Sequence, residues 1–572
     1  MRIYCNPLNV EYKFQHLASK EKAHREAADP TLVLFKDTYY FFASMSGGFW
    51  YSDDLINWNF HENRDLQIYL YAPDVRQIGD YLYFSASRRT KASMFLRTRD
   101  PLSDIFEEVN APFPFWDPNL FYDDDKSIYF YWGCSNKTPI YGIQMNQNMK
   151  AIGERVELFS NNIENIGWER TQGLKKKPTT FKGKLLTKIL GDLPFIEGAF
   201  MNKYRDKYYL QYAAPGTEIF TYGDGVYVSD QPLGPFEMQK HNPFSTKPGG
   251  FIKGAGHGST IEDKYGNWWH MSTMVISVNA NFERRLGLFP CGFDEDGLLF
   301  CNQNYADYPM EIPEGPFNPW DLKPEWMLLS YEKETQASSS KENHPGCLAV
   351  NESVTDWWVA DSNKEGEWLQ VDLGEVYDVN AIQINFADDQ IEPISLKKDM
   401  VFGEPFQKRY IDLDSKLYTR YILEGSVDGK SWFLLWDKSE AKTNLCHDLY
   451  VNKEGIMARY IKVTGYEFPY NSHMALSGLR VFGKGKKDLP KKIKASAKRI
   501  SPLDALIQWE DYKDAVGYNI LYGIAKDKLY SSYMVYGETS LSLPLLNRGQ
   551  DYYLRVDAFN EAGIQEGEVF KL

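Results

Sequence analysis

The sequence predicts an all-β protein, a five-bladed β-propeller followed by two β-sandwich domains, and three observations carry that prediction. The first is a repeat. Asp29-Pro30, Asp117-Pro118, Glu197-Gly198 and His257-Gly258 each precede an aromatic pair by about eleven positions, and the pairs are Tyr39-Tyr40, Tyr129-Phe130, Tyr208-Tyr209 and Trp268-Trp269. Short turns lie between them: Lys36-Asp37, Asp124-Asp125, Arg205-Asp206 and Tyr265-Gly266. A fifth copy runs from Ala72-Pro73-Asp74 to Tyr81 and has no acid at its first position. The second observation is that each copy continues into another hairpin, as at Trp50-Tyr51-Ser52-Asp53-Asp54-Leu55 and Val228-Ser229-Asp230-Gln231-Pro232-Leu233, so each unit supplies four strands. The third is that short alternating or aromatic runs, separated by Gly, Asp and Asn turns, fill the chain from residue 28 to about 302 without an amphipathic helical period. Four-stranded units in series are the sequence form of a propeller. Equivalent positions of such a repeat come round one axis, which would bring three carboxylates and an imidazole together.

At 572 residues the chain is too long for one core. Residues 1–324 are expected to form the propeller, with an insertion at about 161–194 that holds a basic run from Lys175-Lys176-Lys177 to Lys188, read as a solvated loop. Near residue 325 the pattern changes to another β-domain, 325–485. Its marks are Thr355-Asp356-Trp357-Trp358, Gly366-Glu367-Trp368-Leu369-Gln370-Val371-Asp372 and Ser426-Val427-Asp428-Gly429. Trp357, Trp358 and Trp368 are expected to pack its core. After a lysine-rich linker, residues 486–572 show strands at sandwich spacing, and Tyr552, just past the turn Asn547-Arg548-Gly549, fits a tyrosine corner.

Composition excludes some functions. Net charge is −14 with a pI near 5.3, so the attraction to phosphate backbones that a nucleic-acid binder needs is missing. No run of apolar residues is long enough to span a membrane. The start, Met1-Arg2-Ile3-Tyr4-Cys5-Asn6-Pro7, lacks the apolar core of a signal peptide, so the protein is expected either to be cytoplasmic or to have had a leader removed from this chain. Aromatic residues make up 15%, which suits β-structure and surfaces that stack on sugars. Six cysteines form no CxxC pair and read as buried thiols, although Cys291 and Cys301, flanking Asp294-Glu295-Asp296-Gly297, could be bridged.

Each candidate site residue has a bland alternative. Asp29 and Asp117 could simply start strands, since Asp-Pro is a common boundary, but recurrence at the same place in a repeat points to function. Glu197 lies between Ile196 and Gly198-Ala199-Phe200, an apolar setting that raises a carboxyl pKa. His257, between glycines, is either a core histidine or an axial residue that holds an ion or a sugar. Arg285, in Phe282-Glu283-Arg284-Arg285-Leu286-Gly287, is expected to bind sugar hydroxyls, with Arg284 as its competitor and a plain surface charge as the alternative. Trp116, Phe49 and Trp50 are candidates for a stacking wall, against the alternative of inter-blade core. Asp74, two positions past the equivalent site, reads as structural.

The propeller motifs resemble glycoside hydrolase family 43 over roughly residues 1–320. That family carries an Asp-Pro general base, a second Asp-Pro and a Glu-Gly general acid, in that order. The resemblance implies Asp29 as base, Asp117 as the carboxylate that tunes the acid, and Glu197 as acid. It also implies a structural calcium ion near His257, bound largely through water, and no cofactor for the chemistry itself. The middle domain resembles a discoidin-type (coagulation factor 5/8 C-like) module, commonly carbohydrate-binding, from which an extra stretch at 387–415 departs. The tail resembles fibronectin type III. Together these imply an inverting, exo-acting glycoside hydrolase that removes arabinofuranosyl, xylosyl or galactofuranosyl units from plant-type polysaccharides, with its carboxyls about 6.5 to 9.5 Å apart. The alternative is a catalytically inactive propeller lectin. An oligo- or polysaccharide partner implies a secreted, periplasmic or cell-surface protein.

Overall fold

A computed structural model describes every residue except 1, 18–21, 65, 67–70, 88–94, 110–112, 172–193, 277, 281 and 393–408. The basic run at 175–188 lies outside the described residues, as do most of the expected insertion and the middle of the stretch 387–415. Among the described residues there are strands and short 3-10 turns and no α-helix.

Five antiparallel four-stranded sheets follow one another along the chain. The first blade is Thr31–Phe35, Thr38–Phe42, Gly48–Ser52 and Asn59–Glu62, and the second is Asp74–Ile78, Tyr81–Ser85, Phe95–Thr98 and Glu107–Val109. The third is Asn119–Tyr122, Ile128–Trp132, Ile140–Met145 and Ala151–Phe159. The fourth is Glu197–Tyr204, Lys207–Ala214, Gly223–Ser229 and Glu237–Met238, with Ser245–Thr246 added to its third strand. The fifth is Lys253–Glu262, Trp268–Val275, Arg284–Phe293 and Leu299–Cys301. The opening strand of each blade packs against those of the blades before and after it, and the fifth returns to the first. The ring is a five-bladed propeller, as the repeat predicts.

A polar latch at one repeat position joins neighbouring opening strands. Thr31 donates to the Pro73 carbonyl (2.7 Å), Asp74 accepts from the Leu120 N–H (2.6 Å), Asn119 accepts from the Met201 N–H (2.8 Å), and Ser259 accepts from the Leu32 N–H (2.8 Å). These buried groups satisfy backbone that faces across a blade gap, where no ladder bond can reach it. Asp74 is structural, as its offset position suggests. Blade four has Phe200 at this position. There the ladder slips between Glu197 and Phe200, the Arg76 guanidinium covers the Phe200 ring at 3.7 Å, and Asn202 makes the polar link, to the Thr260 carbonyl (2.9 Å).

The C-terminal sandwiches pack on the propeller. Trp50, Leu286 and Tyr308 of the first part share one apolar core with Trp358, Leu479 and Phe482 of the second. Trp358 is fully buried, whereas Trp357 and Trp368 are half-buried, and Trp357 stacks on His344. The stretch 387–415 returns to the propeller: Arg409–Ile411 pairs with Lys13–Leu17, which pairs with His24–Glu26, in a sheet that joins the N-terminal segment to the middle domain. The last sandwich has one sheet of 495–501, 504–509 and 540–543, and another of 517–523, 531–536, 553–560, 563–565 and 570–571. The Tyr552 hydroxyl accepts the Asn547 N–H at 3.0 Å, the contact a tyrosine corner makes. Cys291 and Cys301 face each other across two strands as buried free thiols.

Candidate active site

The five opening residues share a strained backbone. Asp29, Ala72, Asp117, Gly198 and His257 have φ of 51°, 47°, 50°, 64° and 49°, in the left-handed region that costs a residue other than glycine about 1–3 kcal/mol. A side chain from the preceding blade holds each turn by accepting its N–H. Thr273 serves Asp29 (2.8 Å), Ser44 serves Ala72 (2.7 Å), Ser87 serves Asp117 (2.8 Å), Asp117 serves Gly198 (3.3 Å) and Asp224 serves His257 (2.7 Å).

This shared geometry corrects the register of the repeat. In blade four the equivalent of Asp29 and Asp117 is Gly198, so Glu197 stands one place earlier, with Ala28, Tyr71, Trp116 and Gly256. The shift changes its surroundings. Asp29, Asp117 and His257 are buried, while Tyr71, Trp116 and Glu197 are half-buried at the mouth. Glycine is required at 198 for a second reason: a Cβ there would stand 2.7 Å from the His257 ring.

The four predicted groups meet. His257 Nδ1 is 3.4 Å from Asp29 Oδ1 and 4.0 Å from Asp117 Oδ2. Asp29 accepts from Ser44 (2.7 Å) and from the Arg284 guanidinium (3.0 and 3.2 Å). Glu197 accepts from the Tyr222 hydroxyl on Oε1 (2.6 Å) and from Cys134 on Oε2 (3.2 Å). Carboxyl oxygens of Asp117 and Glu197 and the Cys134 sulfur all lie within 4.8 Å of one another. Asp29 is not in that cluster and connects to it through the imidazole.

Electrostatics divide the roles. Burial pushes the Glu197 carboxyl up and the Asp29 charge adds to it, against the pull of His257, Tyr222 and Cys134. Burial raises Asp117 as well, and the charges of Glu197 and Asp29 reinforce this against His257. The two acids titrate as a pair. Burial pulls His257 down, but the carboxylates of Asp29, Asp117, Glu197 and Asp224 outweigh it, so the imidazole is held protonated above its usual range. A protonated carboxyl at the mouth and an ionised one on an arginine can serve as acid and base for hydrolysis.

Residues 23–299 match the family model for glycosyl hydrolases family 43, and residues 334–397 match that for the F5/8 type C domain. Over residues 23–299 the chain is similar to the glycosyl hydrolases of family 43. Xylosidase/arabinosidase 43A of Humicola insolens is 29% identical to this chain over 256 residues, which covers 40% of the chain and 74% of that protein. Among solved structures, a glycoside hydrolase aligns at TM-score 0.44 and 16% identity over 80% of this chain and 97% of its own. A thermostable family-43 glycoside hydrolase aligns at TM-score 0.40 and 21% identity over 55% and 99%.

Three expected sugar contacts of the propeller fall elsewhere. Phe49 and Trp50 are fully buried on opposite faces of blade one, where Phe49 stacks on Phe42 and Trp50 on Phe41, so neither can meet a sugar. Arg285 points away from the axis. It donates to His447 Nε2 (2.9 Å) and to the Arg25 carbonyl (2.7 Å) and lies over Tyr12, all buried. Arg284, its neighbour on the opposite face of the strand, is the one that reaches the acids. Trp116 is half-buried, its ring 6.0 Å from Tyr71, which is in turn 6.4 Å from Phe282.

The described residues around His257 leave no carboxylate oxygen without another hydrogen-bond partner for direct ligation of calcium, so an ion there would be held through water. Such an ion needs six to eight oxygens, yet the Asp29 oxygens are held by Ser44 and Arg284, those of Asp117 by Ser87 and Gly198, and those of Asp224 by the His257 and Gly258 N–H groups. A protonated imidazole offers N–H groups rather than a lone pair.

Sequence reasoning missed Tyr222, Cys134, Ser44, Ser87 and Glu26. One signal was available: Phe41-Phe42-Ala43-Ser44 and Phe84-Ser85-Ala86-Ser87 repeat the same pattern at the same place, and both serines hold an opening residue.

Proposed function

We propose that this protein is an inverting, exo-acting glycoside hydrolase that removes arabinofuranosyl or xylosyl units, or galactofuranosyl units, from plant-type polysaccharides. The observation that carries the proposal is the unequal treatment of two carboxyls, with burial favouring the protonated form of Glu197 and Arg284 and His257 both against Asp29. In this mechanism Asp29 takes a proton from a water as that water attacks the anomeric carbon. Glu197 gives its proton to the departing oxygen from Oε2, because Tyr222 fills Oε1. Bond cleavage and attack occur on opposite faces, so the configuration inverts. Burial and the Asp29 charge favour the protonated form of Glu197, Asp117 stands beside it as a second raised carboxyl that tunes the acid, and His257⁺ offsets the negative charge of the group. Trp116, with Tyr71 and Phe282, lines the entry for a sugar face.

The xylosidase/arabinosidase relative supports a pentosyl substrate. Exo action rests only on the length of the insertion at 161–194, most of which lies outside the described residues. The F5/8 type C domain supports attachment to polysaccharide, and the two-sheet sandwich of three and five strands with its Tyr552 corner supports a fibronectin type III-like tail. No described helix is long and apolar enough to cross a membrane, and a polymeric substrate favours action outside the cell. The test is incubation with nitrophenyl α-L-arabinofuranoside, β-D-xylopyranoside and β-D-galactofuranoside, with NMR of the first anomer released. Inverted product is expected. Retained configuration would remove the water-activating role of Asp29, and no release at all would favour a lectin.

A further inference from the structure

Arg284 serves two acids. One terminal nitrogen is on Asp29, and the other is on Glu26, which is fully buried and also lies 3.4 Å from His24 Nε2. A planar guanidinium shared in this way has one orientation, which fixes where the Asp29 carboxylate can sit. Without Glu26 the fork could turn and engage Asp29 with both nitrogens, and it would occupy the lone pair that a water must use.

Glu26 does not belong to a blade. It ends the strand His24–Glu26, and the F5/8-type domain grips that strand from several sides. Its neighbour Arg25, also buried, donates to both Asp388 oxygens (each 3.0 Å) and to the Asn444 carbonyl (2.6 Å). The Ala23 N–H donates to the Ile391 carbonyl (2.9 Å), and the partner strand Lys13–Leu17 pairs with Arg409–Ile411. From the other side Arg285 holds the Arg25 carbonyl and is itself fixed on His447, whose Nδ1 meets Asn385 Oδ1 (2.8 Å). Asp388, Asn444, Ile391, His447 and Asn385 all come from the middle domain, residues 325–485.

We infer that Glu26 is a positioning residue for the general base, acting through Arg284, and that the F5/8-type domain is the clamp that keeps Glu26 in place. This domain is then part of the catalytic apparatus in addition to any part it plays in attachment. The inference rests on the proposed hydrolase function. Its consequence is selective: disturbing Glu26 or its clamp slows water attack and leaves leaving-group protonation intact.

The experiment uses the full chain with Glu26→Gln, which keeps the shape and removes the charge, and Asp388→Asn, which loosens the clamp. Each is assayed for kcat and KM on 4-nitrophenyl and 2,4-dinitrophenyl glycosides, with a thermal melt as control. Misplacing a catalytic group by about 1 Å costs on the order of 100-fold in rate, so Glu26→Gln is expected to lower kcat by roughly that factor and Asp388→Asn by less. The two substrates should suffer equally, with KM little changed, because a better leaving group cannot replace a base. A variant that melts lower but turns over at the wild-type rate overturns the inference, as does a loss relieved by the dinitrophenyl group. If the wild-type chain releases no sugar, the hydrolase function falls and the inference falls with it. An active wild type beside a fully active Glu26→Gln removes only the inference.

Discussion

Glu197→Gln isolates the proton that leaves with the aglycone. The amide is isosteric, and its oxygen can keep the Tyr222 bond at Oε1. What is lost is the proton on the other oxygen, beside Cys134 and Asp117. A positioned general acid is worth about 10²- to 10⁴-fold, or ~3–5.5 kcal/mol of barrier. That loss applies only where the leaving group needs a proton. The assay is kcat for a 4-nitrophenyl or alkyl glycoside against the 2,4-dinitrophenyl glycoside, whose anion departs unaided. The expected result is a full loss on the first and a small one on the second. The pH profile supplies an independent sign. Glu197 must be protonated to act and burial raises its pKa, so activity falls as pH rises through that raised value, and this alkaline limb should vanish in the variant. An equal loss on both substrates, or an alkaline limb that persists unchanged, would refute the assignment.

Asp117→Asn removes a negative neighbour, so Glu197 should ionise more easily; the alkaline limb of kcat/KM then moves to lower pH, and an unmoved limb would show that Asp117 does not tune the acid. Arg285→Ala leaves His447 Nε2 and the Arg25 carbonyl unpaired in the interior, at a cost on the order of 3 kcal/mol. A lower melting midpoint without a specific rise in KM is expected, and a large KM effect at unchanged stability would return Arg285 to the sugar. Trp116→Ala should raise KM about 2- to 10-fold, the equivalent of ~0.5–1.5 kcal/mol of aromatic contact, as read from saturation kinetics. An unchanged KM would make Trp116 a packing residue.

The sequence shows the propeller because its signals are local. An opening residue before Pro or Gly, a two-residue turn and an aromatic residue after it recur within each blade, and nothing distant is needed to see them. The same locality explains the errors. Glu197 looks equivalent to Asp29 by spacing, but the left-handed turn falls on Gly198, and only backbone angles reveal the slip. Arg284 and Arg285 are indistinguishable in sequence, since consecutive strand residues face opposite ways and only the pairing of Val275 with Arg284 says which way is inward. Phe49 and Trp50 pack on opposite faces of blade one, into the cores shared with blade two and blade five, the commoner fate of aromatics there. The grip of residues 388–391 and 444–447 on Glu26 spans most of the chain length, and no short-range pattern encodes it.

The anchors on the opening residues also set an order of completion during folding. Asp117 and Gly198 are secured by blades made before their own, so the acid side of the site can form as the chain lengthens. Asp29 differs, because Thr273 and Arg284 belong to the last blade. In the proposed mechanism, a ring still open at that seam would carry the proton donor without the water activator. It could hold a sugar but not cleave it, so the activity of a preparation counts closed rings and not merely folded blades.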